Sequence, residues 1–419
     1  MGSRKRVIYF AALLTALATG IFLRLPPAVF TVNAPLHRFA FLHPSAKFSN
    51  IGFDEGLYRE YVNSVARLGL MSYPDIIEHY ISVQKGLPGS ILPPVRFLYI
   101  FSAYLWHLVF GTEALAALHN VAALFSVLTL LLSTFFAWRL KGAAFGLGIA
   151  ALMASAPTQI HMSQHALVDG FFTFWALLSL WLLWENLKDP KQMGWLIAYV
   201  LALSLLVLTK ENAFFVYVGI AVILVANRWF DFGVLTRELA LATILGPLLG
   251  LVVLVFLAGG LDNLLMTYQL SVSKNYQLTY AILTGDGPWH RYLIDLFLVS
   301  PVVLLLAVGT VFRLDRGKKP EVFLSLFIAA SYLVMCNVKY GMNLRYANIW
   351  DMPLRGLAFS QITALAGCLN QWRVWITTAA VILICALELH QYCLLFVQYP
   401  LYELVTEGLL RALHILKSR

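Results

Sequence analysis

The chain is a succession of long apolar runs, and no other feature constrains it as tightly. Val7–Leu23 is the first run, and further blocks follow at approximately 92–111, 115–138, 142–160, 168–184, 195–209, 213–227, 239–259, 296–312, 321–338, 352–369 and 374–397. About 20 apolar residues suffice for one helix to cross a bilayer. Residues 142–184 carry a single charged side chain, Asp169, a purity that suits lipid or a bundle interior. Composition agrees: 60% of the 419 residues are apolar and only 12% are charged, which excludes an ordinary soluble globule. The runs are rich in Leu, Ala and Phe without strict alternation, so helices fit and a barrel does not. The expected fold is all-α: a polytopic transmembrane bundle of about 10–12 helices, with short interfacial helices in the first outer loop.

Charge orients the bundle. Lys and Arg number 30 against 21 Asp and Glu, a formal charge of +9, but the excess is scattered and not gathered in a strip. It reads as anchoring to the cytoplasmic face and to anionic lipid, and nucleic acid is not an expected partner. Arg4, Lys5 and Arg6 before the first run read as the cytoplasmic start of an uncleaved helix, which Pro26 and Pro27 end. Arg139 with Lys141, Lys188 with Lys191, Arg228 with Arg237, and Arg313 to Lys319 mark further cytoplasmic junctions. Segments 161–169, 210–212, 262–295 and 339–351 then fall outside. One conflict follows: two crossings at 92–111 and 115–138 would return the chain to the outside, whereas Arg139 and Lys141 place it inside. Either one block does not cross fully or the two basic residues disobey the bias.

The polar residues collect in a few places. The first outer loop, 26–92, contains Phe53-Asp54-Glu55-Gly56, and its segments 54–68 and 74–85 read as amphipathic helices lying on the interface. An acidic pair at a helix start serves as a cap or as chemistry. Arg59, Lys85 and Arg96 flank this loop and the Pro93-Pro94 helix entry. His161 and His165 lie four residues apart, without the glutamate of a zinc-protease pattern, and read as polar lining rather than metal ligands. Lys210-Glu211-Asn212 joins two apolar blocks with hardly any loop, either as a tight exposed turn or as a cation for a phosphate. Lys339-Tyr340-Gly341-Met342-Asn343-Leu344-Arg345-Tyr346 is also external; Lys210 and Arg345 run against the inside excess, which points to an anionic ligand. Loop 262–295 lines an acceptor groove or forms an aromatic interfacial belt. Cys336, Cys368, Cys385 and Cys393 show no ligand spacing and are expected as buried thiols. The segment 400–419 reads as an interfacial helix.

The ordered set resembles the polyprenyl-phosphate-sugar-dependent membrane glycosyltransferases of the GT-C type, among them the protein O-mannosyltransferases and the lipid A aminoarabinose transferase. The residues that carry the likeness are Phe53-Asp54-Glu55-Gly56, Leu92-Pro93-Pro94, Gly111 with Glu113, Ala156-Pro157, Ser163, Asp169, Thr209-Lys210-Glu211-Asn212 and Leu344-Arg345-Tyr346 before Pro353. They span 1–360, expected as the catalytic region, with 361–419 as terminal membrane helices and tail. The resemblance implies an integral membrane protein, expected in a bacterial inner membrane, with a site facing the periplasm or exterior, and a polyprenyl-phosphate-sugar donor arriving from the bilayer. It implies Asp54 as general base with Glu55 beside it, Lys210 and Arg345 on the donor phosphate, and Asp169, His165 and Tyr346 lining the cavity. Relatives often carry His or Lys before the two prolines; here Leu92 stands there, and Lys85, Arg59 or Arg96 is expected to replace that charge. No cofactor and no obligatory metal are expected, because Asp54 and Glu55 are adjacent rather than arranged as an Asp-x-Asp clamp. The acceptor, be it protein, lipid or glycan, is open, as is the oligomeric state. A flippase or transporter of a lipid-linked sugar is the alternative; it would require access from both sides.

Overall fold

A computed structural model describes residues 3–43 and 52–416; residues 44–51 of the expected first outer loop and the last three residues of the expected tail, 417–419, lie outside them. Among the described residues every regular element is helical. Helix α1 is Ser3–Leu23; two amphipathic helices follow, α2 (Phe53–Leu68) and α3 (Tyr73–Gly86). Next come α4 (Phe97–Phe110), α5 (Ala114–Lys141), α6 (Ala143–Ala154), α7 (Pro157–Ser163), α8 (Val168–Lys188), α9 (Met193–Val207), α10 (Ala213–Phe230) and α11 (Arg237–Leu257). Two more outer helices, α12 (Leu261–Asn275) and α13 (Thr279–Gly285), precede α14 (Arg291–Val299), α15 (Pro301–Val311), α16 (Lys319–Met335), α17 (Asp351–Gly367), α18 (Arg373–Tyr392) and α19 (Thr406–Ala412). The helices α2 and α3 fall within a residue of the expected interfacial segments.

Among the described residues six helices are long and apolar enough to cross a membrane, or seven if the bent pair α6–α7 is counted as one span. The shorter α9, α15, α16 and α17 run beside them. Thus α9 lies parallel to α11, with Gly246 against Leu203 and Gly250 against Ser204 and Val207. Likewise α15 follows α17, where the Thr310 hydroxyl donates to the carbonyl of Leu357. The passages alternate between two ends of the bundle. At one end basic side chains close ion pairs between helices: Arg139 with Glu185 (Nη2–Oε2 2.6 Å), Lys141 with Glu321, and Lys319 with Asp231 (2.8 Å). The other end collects α2, α3, α12 and the polar turns.

The parity of the passages turns on α4. Its 14 residues rise about 21 Å. It begins beside Leu208 at the end of α9, and Gly111 stops it in the left-handed conformation (φ 62°) that glycine adopts without strain. The next helix, α5, has 28 residues and ends on Arg139 and Lys141. With α5 rather than α4 as the crossing of this stretch, the basic residues obey the bias.

The α6–α7 break bends by 60° at Ser155-Ala156-Pro157. Helix ends leave carbonyls without partners, which lipid cannot supply. Arg24, at the end of α1, donates to the carbonyls of Met153 (2.6 Å) and Ala154 (3.0 Å), and its Nε–H to the Ser126 hydroxyl (3.1 Å). Of the four cysteines expected to be buried only Cys336 is; Cys385 and Cys393 are half-buried, and Cys368 is exposed at the end of α17 because its helix stops there at the periphery.

Candidate functional site

Four separate segments converge at the non-basic end. Asp54 lies in the first turn of α2 and Asp169 in the first turn of α8, where exposed N–H groups and the helix dipole favour negative charge. Lys210 stands in the five-residue turn between α9 and α10, and Arg345 is the second residue of the 3-10 turn Leu344–Trp350. Arg345 is the hub. Its Nη2 donates to Asp54 Oδ2 at 2.9 Å, its Nη1 to Glu403 Oε1 at 3.3 Å, and its Nε stands 3.6 Å from Asp169 Oδ2 without a hydrogen bond of its own. Lys210 Nζ pairs with the other oxygen of Asp169 and sits 3.9 Å from the ring centre of Tyr346. Arg345 Cζ lies 5.3 Å from that same ring, so Tyr346 separates the two cations and faces both. Burial works against the charge on Arg345, but Tyr346, Glu403, Asp54 and Asp169 together raise its pKa further. Asp54, Lys210, Arg345, Asp169 and Tyr346 thus form one cluster.

The cluster is graded in depth. Asp169 and Lys210 are almost fully enclosed, whereas the Asp54 and Glu403 side chains keep 20% and 22% of their exposure. The outer rim of the guanidinium is therefore lined by the two carboxylates that solvent reaches.

The neighbours sort themselves by what they touch. Glu55, expected beside Asp54 in the pocket, points away from it. One oxygen accepts the Gly52 N–H at the start of α2 (2.9 Å), and the other accepts the Ala166 N–H at the entry to α8 (2.7 Å). Burial pushes its carboxyl up, but His165, His119 and the Gly52 N–H outweigh that and hold it at about 2. His165 approaches Glu55 (Nδ1–Oε1 3.4 Å) and meets the ring of Tyr402 edge-on at 4.9 Å, so it lines the Glu55 side rather than the Arg345 rim. Among the three candidates for the missing charge, Arg96 alone joins the network. It is buried, its Nη1 donates to the Tyr58 hydroxyl (2.9 Å), and its Nε donates to Glu211 (3.2 Å) next to Lys210. Arg59 pairs with its neighbour Glu60 at 3.2 Å, and Lys85 is exposed in the last turn of α3. Both were expected at the phosphate; the direction of their helices carries them elsewhere.

Sequence reasoning missed Tyr58, Asn343 and Glu403. Tyr58 follows Asp54 by four residues on one helix, so helical spacing alone placed them on one face. Asn343 accepts the Arg345 N–H (3.0 Å) and donates to Glu403, which steadies both. Glu403 lies beyond the expected boundary at 360, and no local signal marks it. Among the described residues no group of three or more His, Cys, Asp or Glu is arranged to hold a metal ion.

Residues 73–272 match the family described as dolichyl-phosphate-mannose-protein mannosyltransferase. ArnT from Cupriavidus metallidurans in the apo state is similar over 98% of this chain and 75% of its own length, with 14% identity and a TM-score of 0.52. The apo oligosaccharyltransferase of Archaeoglobus fulgidus is similar over 94% of this chain, with 14% identity and a TM-score of 0.60. The chain shares the all-helical membrane fold of these two proteins. It spans 57% of the archaeal enzyme's length. A second structure of that archaeal protein, AglB in complex with an inhibitory peptide and a dolichol-phosphate, has a TM-score of 0.56 at 13% identity. No curated protein matches the chain in sequence.

Proposed function

We propose that the chain transfers a sugar from a polyprenyl-phosphate donor to an acceptor at the non-cytoplasmic face of a membrane, with inversion at the anomeric carbon. The reading rests on one observation above the others: the Asp54 carboxylate and the Arg345 guanidinium meet at 2.9 Å on the exposed rim of a cluster that Lys210 backs. A proton acceptor and cations for a leaving phosphate are thereby side by side. The basic ends of the helices, with Arg139, Lys141 and Lys319, support a cytoplasmic location for the opposite face.

In the proposed step the acceptor O–H or N–H gives its proton to Asp54 while its oxygen or nitrogen forms a bond to C1 of the sugar. The C1–O bond to phosphate breaks on the opposite side, and its electron pair leaves with the polyprenyl phosphate. Arg345 and Lys210 offset the negative charge growing there, in surroundings where Tyr346 limits water. Asp169 holds Lys210 and faces the Nε edge of Arg345, so it sets where both cations point. Glu55 is a positioning residue: it ties the start of α2 to the entry of α8 and thereby fixes Asp54 relative to Asp169. Arg96 and Tyr58 brace the Lys210 turn through Glu211.

The test is Asp54→Asn in single-turnover transfer with donor binding measured alongside. Transfer falls about 10²- to 10⁴-fold while donor affinity changes much less. Turnover near normal would remove Asp54 from the role of base. A protein that moves the lipid-linked sugar between leaflets without changing its glycosidic bond would be a flippase instead.

A further inference from the structure

Among the described residues each cation of the cluster already carries a carboxylate. Lys210 is paired with Asp169, Arg96 with Glu211, and Arg345 with Asp54 and Glu403. A phosphate that takes a position on one of these cations competes with the carboxylate there, and the attachments of each carboxylate decide which gives way. Asp169 is enclosed at the root of α8, and Glu211, although exposed, holds Arg96 with both oxygens. Asp54 must stay near the reacting centre if it is the base. Glu403 is different. It comes from the irregular segment Pro400–Leu404, which follows the π-helical turn Cys393–Gln398 at the end of α18 and carries no helix of its own. This segment is held to the site by a few contacts: the Leu344 N–H donates to the Leu404 carbonyl (3.1 Å), and His161 Nε2 meets the Tyr402 carbonyl at 3.1 Å. Its Tyr402 ring presses on Gly52, directly before α2, where an added Cβ would fall 2.2 Å from the hydroxyl oxygen. Glu403 itself touches Arg345 Nη1 and Asn343, and it keeps more exposure than any other carboxylate paired to Arg345.

Building on the transferase reading, we infer that Glu403 is a displaceable latch: its carboxylate occupies the Nη1 position of Arg345 that a phosphate oxygen of the ligand takes, and swings aside to Asn343 when the phosphate arrives. The carboxylate keeps the buried guanidinium paired while the site is empty, which avoids the penalty of a lone enclosed cation. It also makes the site selective. A ligand without a phosphate has nothing to offer Arg345 in exchange, so the latch stays closed against it. The cost is a lowered apparent affinity, because only molecules with the latch open accept the ligand. A latch closed nine-tenths of the time weakens binding about tenfold.

The experiment titrates the full chain in detergent with three probes: a long-chain isoprenyl monophosphate, inorganic phosphate, and the isoprenol of the same length. Wild type is compared with Glu403→Gln, which removes the charge, and Glu403→Asp, which shortens the reach. The isoprenyl phosphate binds about tenfold tighter to the Gln variant and by a smaller factor to the Asp variant, while isoprenol binding is unchanged. If inorganic phosphate tightens as well, the latch answers to the phosphate group alone; if only the lipid form does, the isoprenyl chain must bring it in. Both outcomes support the latch. Unchanged or weakened phosphate binding in both variants overturns it, as does loss of folding in both, since Glu403 would then be a structural strut. A folded wild type that does not bind isoprenyl phosphate brings down the transferase reading and the latch with it. Binding by wild type without tightening in either variant brings down the latch alone.

Discussion

Two ionic networks in this molecule use the same side chains and do opposite things. In the middle of the bundle Arg355 pairs with Asp351 one turn before it and with Glu388 of α18, and the Ser300 hydroxyl donates to that glutamate at 3.0 Å. Arg355 Nε also donates to the carbonyl of Leu152 (3.1 Å), beside the break that Arg24 braces. Its three side chains retain between 1% and 7% exposure. At the site Arg345 also holds carboxylates from distant segments, but two of them reach solvent and its Nε lacks a hydrogen bond. The first network is closed in every direction and can only hold helices together. The second is closed from below and open above, as the proposed exchange with a ligand requires. Residue type does not separate these two networks; access and incomplete pairing do.

The contrast can be broken most severely by comparing Asp54→Asn with Arg355→Met. The first lowers transfer about 10²- to 10⁴-fold and leaves thermal melting in detergent nearly unchanged. The second strands buried carboxylates and costs about 3–5 kcal/mol of stability, whereas turnover per folded molecule stays within a few-fold of wild type. If both substitutions act on melting alone, the rim is a second clamp. Lys210→Gln falls between them: donor affinity drops by about tenfold or more, and melting also falls because Asp169 keeps only the more distant Arg345. Donor titration and melting on one preparation measure both effects.

A pH series sharpens the comparison at Glu55. Its carboxyl is held at about 2, below the ordinary glutamate value, so its contribution is fully present above roughly pH 4.5 and is lost as pH falls toward 2. Melting in detergent should therefore decline on acidification through that window in wild type, and the decline should be shallower in Glu55→Gln, which is less stable than wild type above pH 5. Equal slopes would mean that the tie between α2 and α8 carries no charge. The smallest effect belongs to Lys85→Ala: an exposed residue off the cluster, it should shift donor affinity by less than about 0.5 kcal/mol. A tenfold loss on isothermal titration would return Lys85 to the phosphate.

Much of the site was legible before any fold was known, and the exceptions have identifiable causes. Asp54, Asp169, Lys210 and Arg345 are charges at the ends of apolar runs, where lipid penalises any charge without a partner, so hydropathy itself exposes them. Glu55 was misplaced because a carboxylate in the first turn of a helix looks the same in one dimension whether it caps the backbone or faces a cavity. One residue along a helix turns a side chain by about 100°, and that rotation sends Asp54 to Arg345 and Glu55 to Ala166. Arg59 and Lys85 failed for the same reason, since proximity in the chain put them near the loop while their helix faces took them out. The status of 92–111 was undecidable from length alone: 20 apolar residues suffice for a crossing, but the two prolines and Gly111 leave only 14 in the helix.

The amino-acid sequence by itself determined that this chain lives in a membrane as helices, which ends of those helices carry the basic residues, and which charges require an explanation. These follow from transfer free energies, which each segment has independently of its neighbours. Only the tertiary structure decided which charges meet. Asp54 and Arg345 are 291 residues apart, and Glu403 reaches them from a segment after α18 that no motif announces. Pairing depends on distances of a few ångströms set by how helices pack, and Coulomb attraction between buried groups rewards the closest arrangement without leaving a trace in local composition.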